Sequence, residues 1–381
     1  MSVCFPRVLL AVGALIASAC AQPGVDELTV DKRCGNVGRG NGNTGCPDAA
    51  PPSSPDAAIA PDAAAPGVDA GGGGGGGGTT AGVGPYFQTQ MFWNRDVSTV
   101  PKAANSDRTI TALRNAGGWG NGDLMQIDFL IDVLTAEAAT PLRSFVPTGD
   151  FYSPDCDRVA MPVPIGGNLE GESGYACTSD GDCHLIVDDR ASGKLYEMWR
   201  ANISGGTFYG GCLAVWNKTA TYGAPLRGEQ CTSADAAGFP IAPLLFSADE
   251  VASGSINHAI RFILPNDRVK RGYVKPATHA TGTTGGTDAP PYGVHLRLRA
   301  DYPLHTLPNE AARTVARAMQ KYGMYHADGG NITLTALSDR HTTHKWAGLL
   351  APRDLSALNV EDFEVIDHGA MIPLTYDCVR Q

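Results

Sequence analysis

Three carboxylates fall in one short stretch, Cys183 to Trp199, CHLIVDDRASGKLYEMW: Asp188, Asp189 and Glu197. Paired carboxylates are the working groups of glycoside hydrolysis. One, kept protonated, gives its proton to the leaving oxygen; the other, ionised, acts as base or nucleophile, about 5–9.5 Å away. Apolar neighbours raise the pKa of a carboxyl and so create the acid. Trp199 beside such a pair can stack on a sugar ring. The competing reading is a solvated strand face whose acids are balanced by Arg190 or Lys194. Leu185, Val187 and Leu195 argue that one face is more than solvent decoration.

Which acids meet depends on the turn. Arg-Ala-Ser-Gly-Lys reads as a three-residue loop with Gly193 in the left-handed conformation and a bulge. Arg190 then faces Lys194, Asp189 pairs with Leu195, Val187 with Glu197 and Leu185 with Trp199. Asp189 and Glu197 become diagonal neighbours, about 7–8 Å apart, on the face of Trp199. His184, Ile186, Asp188, Tyr196 and Met198 occupy the other face. A four-residue loop shifts every pairing by one.

Histidines offer a second chemistry. His258, among Ile256, Ile260 and Phe262, reads first as a core residue with a backbone partner, and otherwise as a proton-transfer group. His279, in PATH before a Gly/Thr loop, is the more exposed candidate. Arg261, opposite His258, suits a carboxylate group. His341 and His344, in HTTH, lack a third metal ligand at a known spacing, and no metal is expected. Ser233 lacks a nucleophile-elbow context and reads as the cap of a turn through Asp235. No Rossmann fingerprint or phosphate loop is present, so no cofactor is expected.

The elements that must position these residues are mostly strands. YGVHLRLRADY alternates strictly, with Val294, Leu296 and Leu298 against His295, Arg297 and Arg299. SINHAIRFILP puts Ile256, His258, Ile260, Phe262 and Leu264 on one face. MQIDFLIDVL and GGCLAVWN are also strand-like. Ala311, Val315, Met319 and Tyr322 have helical spacing, with Pro308 and Glu310 in the first turn and Gly323 as the stop. Short helical turns are expected after Ser233 or Asp235 and over residues 247–252. The expected class is mainly β: a β-sandwich or barrel-like domain with a few short helices and one longer helix in the C-terminal region.

Residues 86–381 read as one β-rich globular domain. Residues 20–85 read as a Pro/Ala/Gly-rich tether that can bury no core, with a small Cys34/Cys46 loop. Residues 1–19 read as a signal peptide, too short in its apolar run to span a bilayer as a helix. Ala17-Ser18-Ala19 followed by Cys20 resembles a bacterial lipoprotein signal, although Ala17 stands where Leu is usual. The resemblance implies cleavage before Cys20 and lipidation of its sulfur; cleavage near Ala-Ser-Ala without lipid is the alternative. A lipid on Cys20 would anchor the chain to a membrane, placing it at the outer membrane or cell surface.

The net charge of −10 argues against a nucleic-acid partner, which needs a basic footprint. Of ten cysteines, Cys4 lies in the signal and Cys20 is the lipid candidate. The rest suggest disulfides in an exported chain. Sequence alone leaves the connectivity open. The simplest pairing is local: Cys34–Cys46, Cys177–Cys183 and Cys212–Cys231, with Cys156–Cys378 left over.

The strings WNRDVS, CTSADAAGFPIAPLLFSADEVASGSINHAIRF, YVKPATH, GVHLRLRADY and MQKYGMYHADGG resemble a group of secreted bacterial proteins with no established activity. The resemblance covers most of residues 90–367 and implies one continuous domain without a mechanism. The recurring features it implies are His184, Asp189, Tyr196, Glu197, Ser233, Asp235, Glu250, His258, Arg261, His279 and Asp328. Asp188 is not among them.

The expected function is an exported, surface-tethered carbohydrate-active enzyme acting on a polysaccharide or other extracellular glycan. A glycoside hydrolase is favoured, with Asp189, Glu197, His258 and His279 as candidate catalytic residues. Trp199, Arg261, Tyr196 and Asp328 are candidate substrate-binding residues. The alternatives are a polysaccharide lyase with a His base and a non-catalytic glycan-binding or adhesion module.

Overall fold

The computed structural model describes residues 85–179 and 181–381, together with a two-residue pairing of Val30–Asp31 with Gly35–Asn36. The signal segment, Cys20, the tether up to residue 84 and the Cys34–Cys46 bridge lie outside the described residues.

The fold is mainly β. Its largest sheet has six strands, in the order β10-β7-β8-β6-β9-β1. These are β1 (Ile127–Ile131), β6 (Ile260–Leu264), β7 (His295–Leu298), β8 (Met324–Gly329), β9 (Leu334–Leu337) and β10 (Phe363–Val365). A second sheet has four strands, in the order β5-β4-β3-β2. These are β2 (Val133–Ala136), β3 (Leu185–Asp189), β4 (Lys194–Trp199) and β5 (Cys212–Asn217). Residues of both sheets enter one hydrophobic core.

Strand alternation gives the large sheet two different faces. Ile260, Phe262 and Leu264 of β6 point to one of them, where fully buried Trp119 lies edge-on to Phe262 and Phe363. Helix α3 (Glu310–Lys321) packs on β7 and buries Val315 and Met319. Its bounds follow local chemistry: Asn309 Oδ1 accepts the Ala312 amide at 2.8 Å, and Gly323 adopts φ +71° just past the end. A Cβ at Gly323 would meet the Leu296 carbonyl at 2.6 Å. Helix α1 (Ser106–Asn115) packs on β10. Helix α2 (Ala248–Ser253) starts with a reciprocal Ser247–Glu250 capping box. The turn expected after Ser233 forms no helix; Ser233 Oγ accepts the Asp235 amide at 3.0 Å and donates to the Phe239 carbonyl at 2.6 Å.

The small sheet is buried on both sides. Ile186, Leu195, Ala214 and Trp216 face the main core, whereas Leu185, Val187, Tyr196, Met198 and Leu213 face a second cluster with Met161 and Phe208. This corrects the expected hairpin register. Asp189 pairs with Lys194, Asp188 with Leu195, Val187 with Tyr196, Ile186 with Glu197 and Leu185 with Met198. The loop therefore has four residues, Arg190 to Gly193. Asp189 closes it by accepting the Ala191 and Ser192 amides at 3.0 and 3.1 Å and the Ser192 hydroxyl at 2.6 Å. The Arg190 amide turns to the Ala136 carbonyl of β2 at 3.1 Å. Asp189 and Glu197 thus project from opposite faces.

Three disulfides join Cys156 to Cys212, Cys177 to Cys183 and Cys231 to Cys378. The local Cys177–Cys183 pair is as expected; the other two exchange partners. The loop carrying Cys156 runs beside β5, where the Asp157 amide donates to the Leu213 carbonyl at 2.7 Å. Gly228–Glu229 pairs with Val379–Arg380, bringing Cys231 to Cys378. Such bridges are consistent with an extracellular protein. Among the described residues no helix is long and apolar enough to cross a membrane.

Candidate functional site

The second face of the large sheet carries a polar row. Arg261 on β6 donates from Nη1 to Thr335 Oγ1 on β9 at 2.6 Å, and Thr335 stands in register with Asp128 on β1. Nη2 of Arg261 lies 2.6 Å from Asp235 Oδ1 and 4.0 Å from Asp328 Oδ2. Asp328 sits near the end of β8, after a bulge that shifts its register against β6.

Residues preceding β3 face this row. His184 Nδ1 is 2.6 Å from Glu170 Oε2, and its Nε2 is 3.2 Å from the Ala234 carbonyl. Asp182 accepts a hydrogen bond from Trp199 Nε1. The Cys177–Cys183 bridge closes the loop that holds Asp182.

These charges act on one another. Burial, the neighbouring carboxylates Glu170 and Asp328, and the opposing pull of His184 leave Asp182 at about 6. Burial and then Asp235 raise Asp328 to about 6 against the pull of Arg261. Burial raises Asp235 to about 6 despite Arg261. Burial and Glu170 raise Asp128 to about 6. His184 is pushed down by burial and up by Glu170 and Asp182, to about 9, while Glu170 overcomes its burial through His184 and lies low. Asp182 is solvent-exposed and Asp328 is 31% exposed, yet protein surrounds both. Water therefore reaches the edge of one charged cluster, called the recess below, whose acids are otherwise set apart from bulk solvent. Asp235 is its fully buried member, with Oδ2 lacking any hydrogen-bond partner.

The residues expected from sequence divide clearly. Arg261, Asp328 and Trp199 belong to the recess, Trp199 half-buried at its rim. Glu197 lies beneath it with no solvent contact. Its Oε1 accepts the Ile241 and Ala242 amides at 2.8 and 2.9 Å, and its Oε2 the Trp216 indole N–H at 3.0 Å. Burial raises it to about 7 against these three bonds. Asp189 is occupied by its own loop, and Tyr196 is buried in the second cluster. Asp188 is paired with Lys218.

The histidines also separate. His258 is sealed, with Nε2 3.1 Å from Glu250 Oε1 and Nδ1 2.8 Å from the Ala259 carbonyl. Burial opposes its charge, but Glu250 raises its pKa. His279 is buried against Tyr376, with Nδ1 2.9 Å from the Ala236 carbonyl, and burial lowers its pKa. Both rings are buried. His344 is bound to Asp249 at 2.8 Å, outside it.

Sequence reasoning missed Asp128, Glu170 and Asp182. Asp182 had one usable signal, its place between a disulfide loop and His184. Asp128 and Glu170 had none. Two clusters with metal-ligand composition, Asp155 with Cys231 and Cys378, and Glu172 with Cys177 and Cys183, have their sulfurs engaged in disulfides. Comparison with known families, curated proteins and solved structures finds no match.

Proposed function

We propose that the protein is a carbohydrate-active hydrolase whose acid and base are drawn from the recess, with Asp328 and Asp182 in contact with the glycan. The observation that carries the reading is the gathering of two water-reached carboxyls, Asp328 beside Arg261 and Asp182 on the Trp199 indole N–H, next to the His184–Glu170 pair; both carboxyls are raised to about 6. Near pH 6 a coupled set of acids holds a proton on one member while another is ionised, the division glycoside hydrolysis requires. Asp328 is the general acid. Asp182, held by the Trp199 N–H, is the base or nucleophile. Arg261, Asp235, His184 and Glu170 are positioning residues that hold these carboxyls. Trp199 supplies a stacking edge for a pyranose.

Export and a lipid on Cys20 remain part of this proposal, placing the domain at the outer membrane or cell surface, where polymeric glycans are met. His258 and His279, sealed in the core, lend no support to a lyase base.

The test is release of reducing sugar from a panel of polysaccharides. Asp328→Asn and Asp182→Asn are expected to lower the rate by about 10²–10⁴-fold, with unchanged circular dichroism. The wild-type rate should fall above about pH 6 as the acid ionises. Full activity in both variants ends the assignment; binding without turnover on every glycan would leave a binding module.

A further inference from the structure

A cavity lies away from the recess, on the other side of β1. It has a volume of ≈ 480 Å³ and is walled by Phe129, Trp346, Leu349 and Pro352, with Asn309 and Asp354 at one end. The volume falls within the usual range of small-molecule sites, about 300–1,000 Å³. Alternation along β1 separates the two places: Asp128 projects toward the recess, and Phe129 projects to the opposite side. The Phe129 and Trp346 rings pack at 4.6 Å, tilted by 38°. Trp346 is pinned by its indole N–H to the Leu337 carbonyl at 2.9 Å, so this wall is pre-formed.

The polar end is partly used. Asp354 Oδ2 accepts Asn309 Nδ2 at 2.7 Å and the Ala351 amide at 2.9 Å. Oδ1 has no protein donor among the described residues. The amides of Ala347 and Gly348, exposed in the turn after Trp346, likewise meet no protein acceptor. One wall is thus apolar and aromatic, one end supplies a carboxylate acceptor, and a turn supplies two N–H donors.

We infer that this cavity is a second binding site, for a neutral pyranose of a glycan. The C–H face of such a ring covers Phe129, one hydroxyl donates to Asp354 Oδ1, and other oxygens accept the Ala347 and Gly348 amides. An alkyl ligand would leave those three polar groups dehydrated and unpaired. An anionic sugar would set its charge against Asp354. The inference draws its ligand class from these walls and stands apart from the hydrolase proposal.

The full chain is titrated calorimetrically with cellopentaose, mannopentaose, xylopentaose and chitopentaose. At least one is expected to bind, with an affinity lowered about tenfold in Phe129→Leu and in Asp354→Asn. On the unaltered chain, the bound sugar should protect Asp354 from carbodiimide labelling, a readout independent of how the variants fold. The inference is overturned if none of the four binds, or if binding ignores Phe129 and Asp354. It is also overturned if Asp354 stays unprotected.

Discussion

Asp235 and Asp328 flank the same guanidinium nitrogen: Nη2 of Arg261 is 2.6 Å from the first and 4.0 Å from the second. One cation therefore serves a sealed carboxyl and a solvent-reached one.

Removal of that cation strands Asp235. Arg261→Met should cost about 3–5 kcal/mol, the penalty for breaking a buried pair from one side. The double variant Arg261→Met with Asp235→Leu should recover much of the loss, because no unpaired charge remains. Urea denaturation of the four chains measures both; additive losses would show that the two residues do not share an ion pair.

Thermal stability should decline between about pH 6.5 and 9, above the range where the lowered His295 and His326 act in the other sense. Glu197, at about 7, and Asp128, Asp182, Asp235 and Asp328, at about 6, all lie above their ordinary values of 4.5 and 3.8. The folded chain holds these protons more tightly than the unfolded one, so this stability is lost as pH rises through 6 and 7. His184, raised from 6.5 to about 9, adds stability that is lost as pH rises further. Glu170 and Glu250, both held low, act in the other sense and lose their contribution on acidification below 4.5. A midpoint that climbs between about pH 6.5 and 9 in calorimetry would contradict the charge arrangement.

Asp189→Ala should destabilise by about 1 kcal/mol, as loss of a capping carboxylate does, without changing hydrolysis. The three-residue loop places Asp189 beside Glu197 and the Trp199 face, so a large activity loss at unchanged stability would favour that register.

The bridges should differ in weight. Cys231 and Cys378 are separated by 147 positions, Cys177 and Cys183 by 6. Chain entropy assigns them about 5 and about 2 kcal/mol. Cys378→Ser with Cys231→Ser should therefore lower the denaturation midpoint more than Cys177→Ser with Cys183→Ser. The reverse order would mean that the Gly228–Glu229 pairing with Val379–Arg380 holds those ends without help from the sulfurs.

Some of this was legible along the chain. Helix α3, its Asn309 start and its Gly323 stop depend on neighbours within four positions. The same is true of the alternation in β7 and the Ser247 cap, and the Cys177–Cys183 loop needs only six. The recess was legible only in part. Arg261, Asp328 and Trp199 drew notice, but their partners Asp128, Glu170 and Asp182 lie on other strands and loops.

The hairpin shows where the division falls. Its residue types determined two strands and a turn at Gly193. They did not determine the register, because apolar residues point to both faces and a one-residue slip puts no whole polar face into the core. Tertiary contacts decided it: the Ile241 and Ala242 amides and the Trp216 N–H meet Glu197, and Lys218 meets Asp188. A buried charge goes where its partners are, and those partners come from other segments of the chain.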